Sequence, residues 1–225
     1  MIAPPLLRAR NLGRHYAAAR ERAAILSHLN LELAAGEIVA VVGRSGSGKT
    51  TLLNLIGAMD RPDSGHLEFE GEDMSGWNDA ARTAFRRARL GFVFQAFNLL
   101  PTLTVRENIA LPLELNGLPQ AARVAELLNA LSITALADRF PDQISGGEQQ
   151  RTAIARAIAH RPRLIIADEP TGNLDRDTGR EVIALFERCV RAAGATLLMA
   201  THSDEMLGHA DRVLELRNGA LSARP

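Results

Sequence analysis

The chain has 225 residues, enough for one large domain or two small ones. Its 26 basic residues balance 26 acidic ones, and seven Phe, one Tyr and one Trp offer few stacking platforms, so no nucleic-acid partner is expected. One cysteine, Cys189, excludes an internal disulfide and any zinc site with two thiolates. No run of about 18 apolar residues is present to span a membrane, and residues 1–10 lack the apolar stretch of a signal peptide. A chain kept in the cytoplasm is expected, held at any membrane by a partner. The basic residues are also uneven: Lys49 is the only lysine, and every other basic residue is Arg.

The first third reads as strands and turns. Leu29, Leu31 and Leu33 alternate with polar residues, as in a half-buried strand. Glu37 to Val42 is a short apolar run, the pattern of a strand buried on both faces. A glycine-rich loop follows, then a helix over Lys49 to Met59, and a short strand over His66 to Glu70. From about Asn78 to His160 the pattern is mainly helical. Thr104 and Glu107 form a capping box, ahead of a helix that Pro112 must kink or end. Val124, Leu127, Leu128 and Leu131 mark one helix face. Buried strands and helices then alternate: Arg163 to Asp168, Gly179 to Arg191, Ala195 to Ala200. A hairpin turning at Asn218-Gly219 closes the chain. Cys189 falls at helical spacing with Val182, Leu185 and Phe186, as a core thiol does. The alternation predicts a mostly parallel sheet with helices on both faces.

Three motifs carry chemistry. Gly43, Arg44, Ser45, Gly46, Ser47, Gly48, Lys49 and Thr50 fit G-x-x-x-x-G-K-[ST], between a strand and a helix. Glycines let successive N–H groups turn inward around a phosphate, and the helix start adds positive potential. Lys49 is a slim ammonium able to reach β- and γ-phosphates, and the Thr50 hydroxyl suits Mg²⁺. The second motif is an apolar strand ending in Asp168 and Glu169. Asp168 is placed to hold the Mg²⁺ shell, and Glu169 to orient or deprotonate an attacking water. The third is Ser145, Gly146, Gly147 and Glu148. It reads both as a capping box and as an anion site at a helix start, and the two roles compete for the Ser145 hydroxyl.

In this order and spacing the motifs resemble the ATP-binding cassette (ABC) ATPases over nearly the whole chain. The Ser-Gly-Gly element is similar to that family's signature, with Ile144 for the usual Leu and Glu148 for the usual Gln. The resemblance implies an α/β P-loop NTPase core with a mostly parallel sheet, an N-terminal antiparallel β subdomain and an inserted helical subdomain. All 225 residues would form one ABC ATPase domain: core and β subdomain over about 1–90 and 161–225, helical insertion over about 91–160. It implies ATP and Mg²⁺ as cofactors and extends the nucleotide contacts to Thr51. Gln95 looks like the glutamine that touches Mg²⁺ and the γ-phosphate and links to the membrane partner. Asp175, in Asn173-Leu174-Asp175, looks like the family's interface loop. His202 looks like the switch histidine, and Tyr16 like the aromatic on adenine.

In this family two cassettes close head to tail over two ATP molecules. The resemblance therefore implies a homodimer in which each phosphate loop meets the other copy's signature, with Ser145 capping when open and binding phosphate when closed. Phe94 to Leu113 and Thr171-Gly172-Asn173 are similar to the macrolide-exporter and lipoprotein-releasing group. This implies an ATPase on the cytoplasmic face of the inner membrane, coupled to a separate transmembrane permease and moving lipid-linked or amphipathic cargo. The alternatives are an ABC ATPase of a cell-division complex and an amino acid importer. A small-molecule kinase would leave the Ser-Gly-Gly element and His202 without a role.

Overall fold

The structure, a computed structural model, describes residues 4–18 and 21–224; the side chains of residues 16–18, 21–24, 204 and 205 lie outside that description. In chain order the first elements are β1 (Leu7–Ala18), β2 (Glu21–Leu33), β3 (Ile38–Val42), α1 (Lys49–Ile56), β4 (Ser64–Phe69), β5 (Glu72–Asp73), α2 (Asp79–Arg89) and β6 (Leu90–Phe94). There follow α3 (Val105–Leu115), α4 (Ala121–Ala130), α5 (Gly146–Ile158), β7 (Leu164–Asp168), α6 (Arg176–Ala193), β8 (Thr196–Ala200), α7 (Asp204–Leu207), β9 (Arg212–Arg217) and β10 (Ala220–Ala223). The elements form two compact units, Met1–Arg86 with Leu198–Pro225, and Arg87–Leu197.

The first unit carries an antiparallel sheet of order β2-β1-β4-β5, with Leu7 opposite both Leu33 and Phe69. Leu29, Leu31 and Leu33 are buried while His28, Asn30 and Glu32 between them are exposed, which is the alternation that fixes the register. β3 is buried at all five positions and runs parallel to β9, with Val39 opposite Arg212. β10 folds back antiparallel on β9. Their turn needs two positive φ angles, and Asn218 (φ 51°) and Gly219 (φ 77°) supply them. Phe85 packs edge-on against Phe69 and Trp77, with ring centroids 4.8 and 5.1 Å away.

In the second unit β6 lies parallel to β7, with Phe94 opposite Asp168. The mainly helical reading of residues 78–160 holds, with the unforeseen strand β6 as its one interruption among the described residues. Five apolar residues without alternation do not separate a buried strand from a helix turn. Gly91 marks the difference: a Cβ there would collide with the Ala157 carbonyl of α5. The boundary between the units falls inside β8. With β3–β9 and β6–β7 parallel and the N-terminal sheet antiparallel, the α/β class with a P-loop core holds.

One of the two outcomes expected at Pro112 falls away, and two other local expectations shift. Pro112 does not end α3, which runs on to Leu115; the Asn116 amide donates to the Pro112 carbonyl at 2.8 Å just beyond. α6 starts at Arg176 rather than Gly179, because Asp175 accepts from the Thr178 N–H at 3.0 Å and caps it. Cys189 is half-buried instead of in the core, and burial pushes its thiol pKa up. It lines an open cleft of about 320 Å³ with Arg123, Leu127 and Arg161. No helix among the described residues is long and apolar enough to cross a membrane.

Candidate functional site

The first unit holds the phosphate loop. It leaves the fully buried strand β3 and enters α1 through two glycines at positive φ, Gly46 (77°) and Gly48 (102°). Gly43 cannot be larger, since a Cβ would lie 2.6 Å from both the Leu216 carbonyl oxygen and Ser47 Oγ. Lys49 folds its ammonium back over the loop, donating to the Gly43 carbonyl at 2.7 Å and the Arg44 carbonyl at 3.4 Å. Ser47 Oγ is buried without a hydrogen-bond partner.

The N-cap of α1 is Gly48, which offers no side-chain cap, and the first turn holds no acid. The helix start therefore keeps its positive end open to an anion. Arg44, Ser45, Gly46 and Ser47 face an open cleft of about 750 Å³ that is also lined by the β9–β10 turn. Thr50 is exposed and Thr51 half-buried at this helix start.

His202, in the same unit, follows β8 and is exposed. Its neighbours hold the turn. The Thr201 N–H donates to Val41 at 3.1 Å, and Thr201 Oγ1 accepts from the Ser203 N–H at 3.0 Å. The side chain of Tyr16, a β1 residue opposite Ala23 of β2, lies outside the described residues.

The second unit holds the remaining candidates. The parallel register sets Gln95 and Glu169 as the first residues beyond the paired ends Phe94 and Asp168. Glu169 has φ 47°, unusual for a residue with a Cβ, and turns the chain out of β7. The fully buried Gln150 of α5 holds that turn, its Nε2 donating to the Pro170 carbonyl at 2.5 Å. Gln95 meets the Thr171-Gly172-Asn173 segment. Its Nε2 donates to Asn173 Oδ1 at 3.1 Å, and Asn173 Nδ2 donates to the Gln95 carbonyl at 2.9 Å.

Ser145 is a complete cap. Its Oγ accepts from the Glu148 N–H at 3.4 Å, and the Glu148 carboxylate takes the Ser145 N–H at 2.8 Å and hydroxyl at 2.9 Å. Gly147 allows α5 to approach α6, because a Cβ would sit 2.6 Å from Thr178 Cγ2. Asp175 is held below the usual carboxylate range, first by the Thr178 N–H bond.

Two holders of the segment after Gln95 escaped the sequence reading. Phe97 and Asn98 take positive φ, and Arg156 of α5 binds both carbonyls, at 2.9 and 2.6 Å. The buried Asn108 clamps the next turn, accepting from the Leu100 N–H at 2.9 Å and donating to the Leu103 carbonyl at 3.0 Å. An Arg among the small residues Ala153, Ala155 and Ala157 was the available signal for the first. Asn108 one residue beyond a capping box gave none.

By donor type alone, the Thr50 hydroxyl in the first unit and the Gln95 amide and Asp168 carboxylate in the second are oxygen ligands of the kind that a hard cation such as Mg²⁺ takes. Among the described residues there is no group of three or more His, Cys, Asp and Glu that could hold a metal ion.

Residues 26–172 match the ABC transporter family. An uncharacterized ABC transporter ATP-binding protein of Mycobacterium tuberculosis is 48% identical over 220 residues, covering 96% of this chain and 89% of the relative. The lipoprotein-releasing system ATP-binding protein LolD of Novosphingobium aromaticivorans is 44% identical over 98% of this chain and 100% of its own. Among solved structures, a dimeric post-hydrolysis state of the ATP-binding cassette MJ0796, bound to ADP and Pi, superimposes with a TM-score of 0.87. It has 35% identity and covers 97% of this chain and 99% of that one.

Proposed function

The chain belongs to the ABC transporter family of ATP-binding, ATP-hydrolysing cassettes, and from that premise we propose that it powers a separate membrane permease that extracts or exports lipid-linked or amphipathic cargo. The observation that carries this reading is the similarity to LolD over 88 to 98% of this chain, at 41 to 48% identity in several bacteria. The match to a dimeric cassette supports a homodimer as the working unit. The permease would hold the chain at the cytoplasmic face of the inner membrane.

In the proposed site, the Gly43–Thr51 segment binds the phosphates of ATP, and Tyr16 stacks on its adenine. Lys49 can exchange its two carbonyl partners for phosphate oxygens. Ser145, Gly146, Gly147 and Glu148 of the other copy close over the γ-phosphate, with Asp175 at the interface. Glu169 takes the proton of the attacking water, and His202 steadies the γ-phosphate. Thr50, Gln95 and Asp168 would hold Mg²⁺, which supplies charge neutralisation between the phosphates when bound.

Affinity purification of the tagged chain from detergent-solubilised membranes tests the partner. A co-eluting membrane protein, with ATP turnover that rises when an acylated peptide is added but not its unacylated form, is expected. Recovery with ribosomes or DNA and no membrane protein would sink the reading. Stimulation by free amino acids would favour the importer alternative, and a division-site partner the cell-division one.

A further inference from the structure

The Thr171-Gly172-Asn173 segment lies against Gln95. Its contacts give it a task. A backbone carbonyl only accepts hydrogen bonds, so the bond to the Gln95 carbonyl fixes which end of the Asn173 amide is the nitrogen. Asn173 Oδ1 must then face Gln95, and it receives the Gln95 Nε2 donor at 3.1 Å. That in turn fixes the Gln95 amide, with nitrogen toward Asn173 and Oε1 turned away. Gly172 supports the same pose. A Cβ there would lie 2.9 Å from Gln95 Nε2 and 3.1 Å from its Cδ, so only glycine lets the amide lie against this turn.

A hard cation binds the oxygen of an amide and is repelled by its NH₂. We infer that Asn173 is a positioning residue that orients the Gln95 amide, presenting Oε1 rather than Nε2 to a divalent cation. The inference rests on the proposed role of Gln95 as a cation-side residue and explains why Gly and Asn stand together opposite it.

The test uses metal binding rather than turnover. Mn²⁺ is titrated onto ATP-loaded protein carrying Glu169→Gln, and free Mn²⁺ is read by electron paramagnetic resonance. Asn173→Ala should weaken Mn²⁺ binding by about 10-fold, the lower end for groups that orient a metal ligand. ATP binding measured in EDTA should not change. Gly172→Ala should weaken Mn²⁺ in the same direction. In a Gln95→Ala background, Asn173→Ala should add nothing. An Asn173→Ala protein with unchanged Mn²⁺ affinity, while Gln95→Ala weakens it, overturns the inference alone. So does a loss that persists undiminished in the Gln95→Ala background. If Gln95→Ala itself leaves Mn²⁺ affinity unchanged, the reading of Gln95 falls and the inference with it.

Discussion

Two helices of this chain begin in glycine, and they begin differently. α1 starts at a left-handed Gly48 with no side-chain cap and no acid in its first turn. α5 starts at Ser145, where a reciprocal capping box engages Glu148. The first start has its positive end open, and the second has it partly neutralised by its own carboxylate. An anion meets no capping side chain and no acid at α1, but at α5 it must compete with Glu148. Glycine at a helix start is thus not one signal. At Gly48 it serves loop geometry, and at Gly147 it serves the contact with Thr178.

The largest expected effect concerns chemistry on the α5 side, where Gln150 of that helix holds the turn after Glu169. Glu169→Gln should slow hydrolysis by about 10²- to 10⁴-fold, the usual worth of a general base. ATP binding should persist. Single-turnover ATPase assays check this, and hydrolysis at the wild-type rate removes Glu169 from the role of base. Next is the open start. Lys49→Ala should weaken ATP binding about 10- to 100-fold, the size of one charge-assisted hydrogen bond, as read by a fluorescent-nucleotide titration.

A smaller change sharpens the contrast between the helices. Glu148→Gln keeps the capping-box geometry but removes a negative charge from the helix start. If α5 receives a phosphate, ATP-driven association should strengthen by about 2- to 5-fold, the size of one helix-end charge effect. Unchanged association, measured by analytical ultracentrifugation, would mean that Glu148 stays clear of the phosphate. The smallest effect is a control: Cys189→Ala, on the outer cleft of the second unit, should leave steady-state turnover unaltered.

Much of this was legible in the sequence because the decisive interactions are local. Thr104 with Glu107, Ser145 with Glu148, and Asn218-Gly219 each specify a cap or turn within a few residues, and all three appear as read. β6 was not legible, because its strand character comes from pairing with β7, more than 70 residues away in sequence. Asn108 was hidden because its partners are nearby backbone groups that leave no mark in a sequence, and Arg156 showed only as an Arg among alanines, with its partner carbonyls at distant Phe97 and Asn98. Lys49, the only lysine, was visible at once; its two carbonyl partners add how it is held.

In the proposed dimer, the open start of α1 in one copy meets the capped start of α5 in the other. Mixing two defective proteins tests this arrangement. One carries Lys49→Ala and keeps an intact Ser145; the other carries Ser145→Arg and keeps an intact Lys49. A mixed dimer then holds one site with both groups intact, and ATP hydrolysis absent from either protein alone should return on mixing. No recovery, in mixtures shown to form mixed dimers, would contradict a site shared between two copies.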